Sequence, residues 1–295
     1  MGGGHGERLG AEWQEHRPAV FGVAYRLLGS VADAEDVVQD VWLRAAAADL
    51  GDVDDLRAWL VTVAARRSYD ILKSARVQRE SYFGPWLPEP LLTGPDAAEP
   101  VLVDESVGSA MLLIMEELSP PERVALMLHD VFGLEFARIA EVLGGSVPAA
   151  RKLASRARHR VAEARGSAPD VPRAELDRLV IAFRAAYETG DLAALVELMH
   201  PDAVYLTDGG GQVSAARVPI LGGRRIAEVL VRVGRRWRAD RIDIVEIGGE
   251  PALVLHREGG IHSVDTFGFA DGRIVAYRRV LNPRKLAHLK AVTSE

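Results

Sequence analysis

Apolar side chains recur at intervals of three and four residues over about residues 12–79, which is the period of an amphipathic helix. A first stripe around Phe21 ends at Gly29, a second begins near Val37, and a third begins at Leu56. Few glycines or prolines interrupt these stripes. The pattern predicts about three packed helices in an N-terminal domain over residues 1–80.

Prolines then break the helical period. They stand at Pro85, Pro88, Pro90, Pro95 and Pro100, and each removes a backbone donor and disfavours helix at the preceding residue. We therefore predict a linker over residues 81–106. Its Trp86 and Leu87 cost about 1.5–3 kcal/mol each to leave in water, so we expect the linker to lie on a folded surface. An ordinary packed loop and a specific docking motif both account for this pattern.

Helical periodicity returns at residues 107–117. Ser119 precedes Pro120 and stands three residues before Glu122, which predicts a capping box at the start of a helix ending near Phe132. A short helix, a Gly-Gly turn and a long polar helix over residues 147–165 follow. This order is typical of a helix-turn-helix domain, predicted over residues 107–166.

A second break, at residues 166–172, precedes a different pattern. Two helices over about residues 174–199 lead into alternating apolar and polar positions that predict strands, and one further helix lies among them at about 225–233. The strand patterns cover residues 204–207, 242–247, 252–256, 262–269 and 274–281. Asp271-Gly272 predicts a hairpin turn. Helices followed by antiparallel strands indicate an α+β domain over residues 172–295.

The composition is that of an ordinary globular protein. The chain has 295 residues, enough for two or three domains of about 100–150 residues each. Its 42 Asp and Glu outnumber its 36 Lys and Arg, so any DNA-binding surface must be local. The absence of cysteine excludes disulfides and thiolate chemistry. The sequence shows neither a signal segment nor a run of about 18–20 apolar residues, so we expect a soluble, cytoplasmic protein with no membrane partner.

Charge is unevenly distributed along the predicted helices. The long polar helix carries basic residues that almost no acid offsets, and these could contact phosphates and base edges. A solvated basic face without a partner is the alternative. The candidate DNA-binding residues of this helix are Arg151, Lys152, Ser155, Arg156 and Arg158.

The predicted N-terminal helices also differ in charge. An acidic face with Asp33, Glu35, Asp36 and Asp40 is a candidate protein-binding surface, although a solvated amphipathic helix gives the same pattern. The next helix interleaves basic and aromatic side chains, a combination that contacts a nucleic-acid strand and stacks on unpaired bases. Its residues include Trp59, Arg66, Arg67, Tyr69, Lys73 and Arg76.

These segments resemble a known family. HRPAVFGVAYRLLGSVADAEDVVQDVWLR and LRAWLVTVAARRSYDILKSAR resemble the polymerase-binding and promoter-melting segment of extracytoplasmic-function (ECF) sigma factors. LSPPERVALMLHDVFGLEFARIAEVLGGSVPAARKLASRARHRV resembles their promoter-recognising helix-turn-helix. The resemblance implies core RNA polymerase and promoter DNA as partners.

The resemblance also assigns roles to residues. Polymerase contact falls on Asp33, Glu35, Asp36, Gln39 and Asp40. Minus-ten recognition and melting fall on the positions from Trp59 through Arg66, Arg67, Tyr69, Asp70, Lys73 and Arg76. Minus-thirty-five recognition falls on Arg151, Lys152, Ser155, Arg156 and Arg158.

The last third resembles an NTF2-like fold of the SnoaL type, and the whole chain resembles the SigJ-like subclass in which this module is fused to the sigma domains. WLPEP, DGGG and NPRKL match the linker, loop and tail signatures of that subclass. The resemblance implies regulation in cis without a separate anti-sigma protein. The implied interdomain residues are Trp86, Leu87, Pro88, Glu89, Pro90, Asp208, Gly209, Gly210, Gly211, Asn282, Pro283 and Leu286. We expect the DGGG loop to meet the linker or an adjoining sigma domain.

Some NTF2-like proteins are enzymes, and the acid or base candidates in this chain are Asp208, His256, His262, Asp265 and Tyr277. His262 and Asp265 are three apart on a predicted strand, so they should lie on opposite faces. Asp208 before three glycines fits a turn and a functional loop equally well. The other histidines lack ligand spacing, and the glycines lack a phosphate-loop continuation. We therefore predict no catalytic residue, metal or cofactor.

Together these patterns predict two all-α sigma domains followed by an α+β NTF2-like domain with a cone-shaped pocket. The predicted function is that of an alternative sigma factor regulated in cis. One alternative is a one-component DNA-binding regulator whose last domain senses a small molecule in that pocket. A third hypothesis, an isomerase or cyclase with a helical extension, requires turnover by residues 172–295 alone.

Overall fold

The computed structural model describes residues 3–51, 53–80, 82–93, 112, 114–115, 117–165 and 171–291. The described residues form two compact units. The first contains the helices of residues 3–80 and 117–165, and the second contains residues 82–93 and 171–291. Most of the predicted helix at 107–117 lies outside the described residues, as do the ends of the predicted linker, so the predicted domain boundaries stay predictions.

Three helices open the first unit, as the apolar stripes predict. They are α1 (Gly3–Leu28), α2 (Val31–Ala47) and α3 (Leu56–Glu80). The side chain of Ser30 caps α2 by accepting a hydrogen bond from the backbone N–H of Asp33 at 3.2 Å. Val37 and Val41, on the apolar stripe of α2, are fully buried. Burial of one face leaves the acidic face of α2 open to solvent.

The helix-turn-helix segment consists of α4 (Pro120–Leu126), α5 (Phe136–Leu143) and α6 (Val147–Arg165). The predicted capping box is present, because a Glu122 carboxylate oxygen accepts hydrogen bonds from the backbone N–H of Ser119 at 3.1 Å and from its hydroxyl at 2.6 Å. The first helix has the predicted extent, but its second half, Met127–Val131, is π-helical. Gly144, with φ of 66°, ends α5.

Within the first unit, the helix-turn-helix segment packs on the N-terminal helices. Arg123 of α4 is buried and donates a hydrogen bond to the backbone oxygen of Leu27 at 2.9 Å. Arg26 of α1 lies over the ring of Phe132 at 5.6 Å. These contacts join the end of α1 to the first helix of the helix-turn-helix segment.

The second unit is an α+β domain. Its elements are α7 (Arg173–Thr189), α8 (Leu192–Leu198), β1 (Met199–Asp208), β2 (Ile220–Leu221), α9 (Gly223–Arg236), β3 (Arg241–Ile247), β4 (Glu250–Arg257), β5 (Gly260–Ala270), β6 (Arg273–Val280) and a 3₁₀ turn, Ala287–Ala291. The strand order is β2-β1-β6-β5-β4-β3. The expectation of purely antiparallel strands is wrong at one place, because β1 pairs with β6 in parallel. The short strand β2 was not predicted.

The helices of this unit pack on the sheet through an aromatic core. Phe183 of α7 contacts the ring of Phe267 edge-on at 5.0 Å, and Tyr205 stacks on Tyr277 at 4.8 Å. Leu230 of α9 is fully buried in the same cluster. The predicted hairpin turn is present at Asp271-Gly272, where both residues have positive φ. None of the helices among the described residues combines the length and the apolar character needed to span a bilayer.

Candidate functional site

Asp208, at the end of β1, holds the linker on the second unit. Its carboxylate is fully buried and accepts hydrogen bonds from the Tyr82 hydroxyl at 2.7 Å and from the backbone N–H of Leu87 at 2.9 Å. The backbone N–H of Gly210 donates a third, at 3.0 Å. A buried carboxylate needs such donors, because water cannot solvate it. Asp208 therefore acts as an anchor for the linker as well as a turn residue.

Lys285 neutralises this carboxylate. Its ammonium group lies 2.8 Å from Asp208 Oδ2, donates to the backbone oxygen of Leu87, and sits over the ring of Trp86 at 4.1 Å. The His288 ring nitrogen Nε2 lies 2.8 Å from the backbone oxygen of Pro90. The tail of the domain and the glycine-rich loop thus enclose the WLPEP segment from two sides.

The glycine-rich loop must approach the linker closely. A Cβ atom at Gly210 would lie 2.1 Å from the Asn282 amide nitrogen and 2.9 Å from the Tyr82 hydroxyl, and Gly210 has φ of 55°. Both distances are too short for a side chain, so the position requires glycine. Asn282 Nδ2 also donates to the Tyr82 hydroxyl at 3.0 Å.

Burial, together with the hydrogen bond to the Asp208 carboxylate, raises the pKa of Tyr82 well above its ordinary value. Tyr82 therefore remains a neutral donor at physiological pH. Neither Tyr82 nor Lys285 was among the predicted site residues. Lys285 lies within the quoted NPRKL motif, which was the available signal, whereas Tyr82 had only its position beside the proline-rich segment.

The end of the linker pairs with an edge of the sheet. Leu92 forms an antiparallel bridge with Ile247 of β3, and the backbone N–H of Thr93 donates to the backbone oxygen of Glu246 at 3.0 Å. The backbone N–H of Gly249 donates to the Thr93 hydroxyl at 2.9 Å. Because β3 is the edge strand, this pairing covers backbone groups that would otherwise be open. The described part of the linker is thus held at both ends.

Other predicted interdomain residues lie in or beside this contact. Trp86, Pro88 and Glu89 are half-buried, Pro90 and Leu286 are buried, and Gly209, Gly211 and Pro283 complete the loop and tail. The linker therefore contacts the glycine-rich loop, and the regulatory role of the contact stays a prediction.

The basic residues of helix α6 differ in whether an acid of the first unit pairs with them. Arg156 and Arg160 lie 3.4 and 3.0 Å from the buried carboxylate of Glu122, and Arg158 makes two hydrogen bonds to Asp130 at 2.7 and 2.5 Å. The expectation that almost no acid offsets this helix is wrong, because Glu122 and Asp130 offset it in the folded protein. Both lie in the first helix of the helix-turn-helix segment, far from α6 in sequence. A helix-by-helix charge count cannot detect such pairs.

Arg151, Lys152 and Ser155 are exposed on α6. The guanidinium carbon of Arg151 lies 5.5 Å from the centre of the Phe136 ring, which orients it without neutralising it. The start of α6 therefore offers hydrogen-bond donors to an external anion, whereas its middle is fixed to α4.

Burial raises the pKa of Glu122, but hydrogen bonds from Ser119 and the charges of Arg160 and Arg156 outweigh it. The net effect lowers the pKa of this carboxyl. Glu122 is thus ionised at neutral pH and joins the start of α4 to the middle of α6.

The predicted basic and aromatic residues lie on α3 with several internal partners. Arg67 bonds to Asp40 of α2 at 2.6 Å, and Arg66 lies 3.6 Å from Glu141 of α5. Lys73 lies 2.8 Å from Asp70 and 4.5 Å from the centre of the Tyr69 ring. Trp59 is half-buried, and the side chain of Arg76 lies outside the described residues. The basic surface of α3 is therefore less open than its sequence suggests.

The acidic face of α2 is open at its centre. Asp36 and Gln39 are exposed, Glu35 is exposed and lies 2.9 Å from Arg17, and Asp33 is half-buried at the capped start of the helix. Asp40 is held by Arg67. The structure therefore gives the first unit an acidic face and a basic helix on separate elements.

The remaining acid and base candidates do not form an open catalytic site. Asp265 is fully buried and accepts hydrogen bonds from Arg279 at 2.8 and 2.6 Å, from Ser263 at 3.1 Å and from the Tyr277 hydroxyl. Burial raises the pKa of Tyr277, which keeps this phenol protonated. His256 pairs with Asp243 at 2.8 Å, and His262 is not hydrogen-bonded to Asp265.

The sequence named Asp265 and Tyr277 as candidates but gave no sign of Arg279, because this partner lies on the adjacent strand rather than at a recognisable spacing. Asp265 and Arg279 pair across β5 and β6. Among the described residues, His, Asp and Glu side chains form no cluster able to hold a metal ion.

Known proteins are similar to this chain in both of its units. Residues 13–77 match the family described as Sigma-70 region 2, and residues 109–161 match Sigma-70, region 4. The chain is 37% identical to the ECF RNA polymerase sigma factor SigJ of Mycobacterium tuberculosis over 93% of this chain and 92% of that protein. It is 31% identical to the probable ECF RNA polymerase sigma factor SigI of the same species, over 96% of each.

A solved structure is similar over nearly the whole chain. The crystal structure of the Mycobacterium tuberculosis extracytoplasmic function sigma factor SigJ covers 94% of this chain at 34% identity, with a TM-score of 0.77, and 98% of that chain is matched. Both the helical domains and the α+β domain therefore have a counterpart in one relative.

Proposed function

The chain belongs to the ECF RNA polymerase sigma factors, and from this premise we propose that it carries core RNA polymerase to specific promoters and helps to open the DNA there. The chain is an alternative sigma factor, and its fold is two helical sigma domains followed by an NTF2-like domain. One observation carries the residue-level proposal. The arginines in the middle of α6 are ion-paired with Glu122 of α4, whereas the basic side chains at its start are exposed to solvent.

In this proposal, Arg151, Lys152 and Ser155 contact the minus-thirty-five element. Their side chains are exposed at the start of α6, the part of a recognition helix that reaches base edges in the major groove. Arg156 and Arg158 instead set the angle of α6 through Glu122 and Asp130. Their assignment as DNA-contacting residues is therefore supported less well than that of the first three.

The acidic face of α2 is proposed to bind core polymerase, and α3 to contact the minus-ten element. Exposed Glu35, Asp36 and Gln39 can pair with a basic surface, and repulsion from phosphates keeps this face off DNA. On α3, phosphates would compete with Asp40 and Glu141 for Arg67 and Arg66. Promoter contact would then exchange internal ion pairs for external ones.

Regulation in cis is proposed to act through the linker. Residues 82–93 join the two sigma domains in sequence, and they are fixed to the NTF2-like domain by Asp208, Lys285 and the β3 edge. A linker fixed along residues 82–93 has fewer accessible conformations than a free one. The NTF2-like domain can thereby limit how far apart the two sigma domains move.

We also propose that the fused domain takes the role of a separate anti-sigma protein, that the protein acts in the cytoplasm with the polymerase, and that it is not an enzyme. The last of these is supported by the cluster around Asp265, in which Arg279 neutralises the buried carboxylate.

A second candidate function is supported by a cavity in the second unit. It has a volume of about 700 Å³ and is lined by Val196, Met199, Pro201, Gly222, Gly223, Arg224, Arg225, Glu228 and Arg273. Its lining combines apolar side chains with three arginines and a glutamate, which suits a small ligand, as a one-component regulator would require. Promoter binding by the free chain that is as tight as that of the holoenzyme would favour this function.

Run-off transcription with purified core polymerase tests the main proposal. The full chain should yield discrete products from a subset of promoters, and Arg151→Glu should abolish them. Arg178→Glu, which changes an exposed arginine of α7, is the matched control and should leave the products unchanged. Absence of product with the unaltered chain on a promoter library would refute the proposal.

A further inference from the structure

Helix α9 of the NTF2-like domain carries an arginine face that has no part in the contacts proposed for the sigma domains. At 3.6 residues per turn, its five arginines and Glu228 fall within an arc of about 120°. The buried residues Ile226, Ala227 and Leu230 occupy the opposite side. The arginines are Arg224, Arg225, Arg232, Arg235 and Arg236.

All five arginines are exposed, and the part of the chain that the structure describes provides no carboxylate within 4.0 Å of any of them. This distinguishes them from the arginines of α6, three of which are held by Glu122 of α4 or by Asp130. The α9 face is therefore free to bind an external anion.

The stability of the helix does not account for this distribution. Arg224 and Arg225 occupy the first turn, where the helix dipole disfavours positive charge, and no acid lies there. Arg232 is three and four residues from Arg235 and Arg236, at spacings where like charges repel. Acids interspersed among the arginines would stabilise a solvated amphipathic helix, whereas Glu228 is the one acid on this face.

The basic surface continues beyond the end of the helix. Trp237 is 38% exposed, and the guanidinium carbon of Arg236 lies 5.5 Å from the centre of its ring. Arg238 is also exposed. Residues 171–291 contain 18 Lys and Arg against 15 Asp and Glu, whereas the whole chain contains 36 against 42. Positive charge is thus concentrated in the NTF2-like domain.

We propose that the arginine face of α9 binds the sugar-phosphate backbone of duplex DNA, as a sequence-independent contact of the NTF2-like domain. Guanidinium groups pair with phosphate oxygens in a bidentate manner, and the row of arginines matches a row of phosphates in charge. The choice of DNA rests on the proposed function, because a chain bound to a promoter holds this domain at a high local concentration of duplex. The face adds affinity without adding base specificity.

The test compares two double variants of the full chain. Arg232→Gln/Arg235→Gln removes two charges from the face, and Arg178→Gln/Arg284→Gln removes two exposed charges of the same domain outside α9. Binding to a duplex without promoter elements is measured without polymerase across a series of salt concentrations. The slope of log K against log salt should fall by about 1.8 for the α9 variant, at about 0.9 per lost phosphate contact, and should stay unchanged for the control. Equal slopes for the two variants would overturn the proposal.

A photocrosslinking amino acid at position 232 supplies the second measurement. In the holoenzyme bound to promoter DNA, a crosslink to DNA is expected. A crosslink only to a polymerase subunit or to the acidic face of α2 would overturn the proposal in favour of a protein partner. If the holoenzyme forms no promoter complex at all, the proposed function fails, while the polymerase-free slopes still decide whether α9 binds duplex DNA.

Discussion

The backbone N–H of Leu87 donates a hydrogen bond to the carboxylate of Asp208, 121 positions later in the chain, at 2.9 Å. This bond joins the WLPEP segment to the DGGG loop. Residues 82–93, the described part of the linker between the two sigma domains, are therefore part of the folded NTF2-like domain in the free protein.

Replacement of Asp208 by Asn should release the linker. The variant leaves the buried ammonium group of Lys285 without its counter-ion, and breaking a buried ion pair costs about 3–5 kcal/mol. Hydrogen exchange of the amides of residues 82–93 should become faster. Asp202→Asn, at an exposed position of the same strand, should leave exchange unchanged. Unchanged protection in Asp208→Asn would show that the ion pair does not hold the linker.

Tyr82→Phe should change the stability of the protein at alkaline pH. The folded pKa of Tyr82 lies above the ordinary value of 10.0, so its contribution is fully present below pH 10 and is lost as the pH rises towards the folded value. In the unaltered protein this group makes the free energy of unfolding fall by up to about 1.4 kcal/mol per pH unit in that window. Denaturant titrations above pH 10 should show a shallower fall for Tyr82→Phe. If the free energy of unfolding fell equally steeply with pH in both proteins, the buried, hydrogen-bonded environment assigned to Tyr82 would be wrong.

Glu122→Gln should weaken the helix-turn-helix segment by about 1–3 kcal/mol, because Arg156 and Arg160 lose a charged acceptor. The folded pKa of Glu122 is lowered, so its stabilisation is present above the ordinary value of 4.5 and is lost as the pH falls. In the variant, the free energy of unfolding measured by circular dichroism should be lower at neutral pH and should fall less steeply as the pH is lowered. Glu163→Gln, at an exposed position of α6, is the control and should behave like the unaltered chain.

Lys152 and Arg158 should respond differently to substitution. Lys152→Gln should reduce promoter affinity of the holoenzyme by about 10-fold or more with unchanged thermal stability, since the side chain is exposed and its proposed partner is DNA. Arg158→Gln should lower thermal stability modestly, because its bonds to Asp130 are lost. Filter binding and thermal melting measure the two effects. The reverse outcome would exchange the roles assigned to the start and the middle of α6.

Much of the fold could be predicted from the sequence where local signals agree. The capping box at Ser119 and Glu122, the Asp271-Gly272 turn and the apolar stripe of α2 all correspond to observed elements. These features depend on contacts between residues close in sequence. The parallel pairing of β1 with β6 and the short strand β2 depend on distant contacts, and no local pattern reports them.

The site could be predicted only in part for the same reason. The WLPEP and DGGG motifs identified two sides of the linker contact, but the ion pair of Asp208 with Lys285 spans 77 positions. Likewise, the charge of α6 suggested a uniform basic face, whereas Glu122 and Asp130 neutralise its middle from another helix. Charge patterns give the sign of a surface, and only the folded arrangement shows which charges remain free.

The acidic face of α2 gives the most direct test of the sigma-factor mechanism. Purified chain should co-migrate with core RNA polymerase in size-exclusion chromatography, and Glu35→Lys/Asp36→Lys should abolish co-migration, while reversal of the exposed Asp54, outside this face, should not. Co-migration of the doubly reversed chain at the level of the unaltered protein would contradict the account.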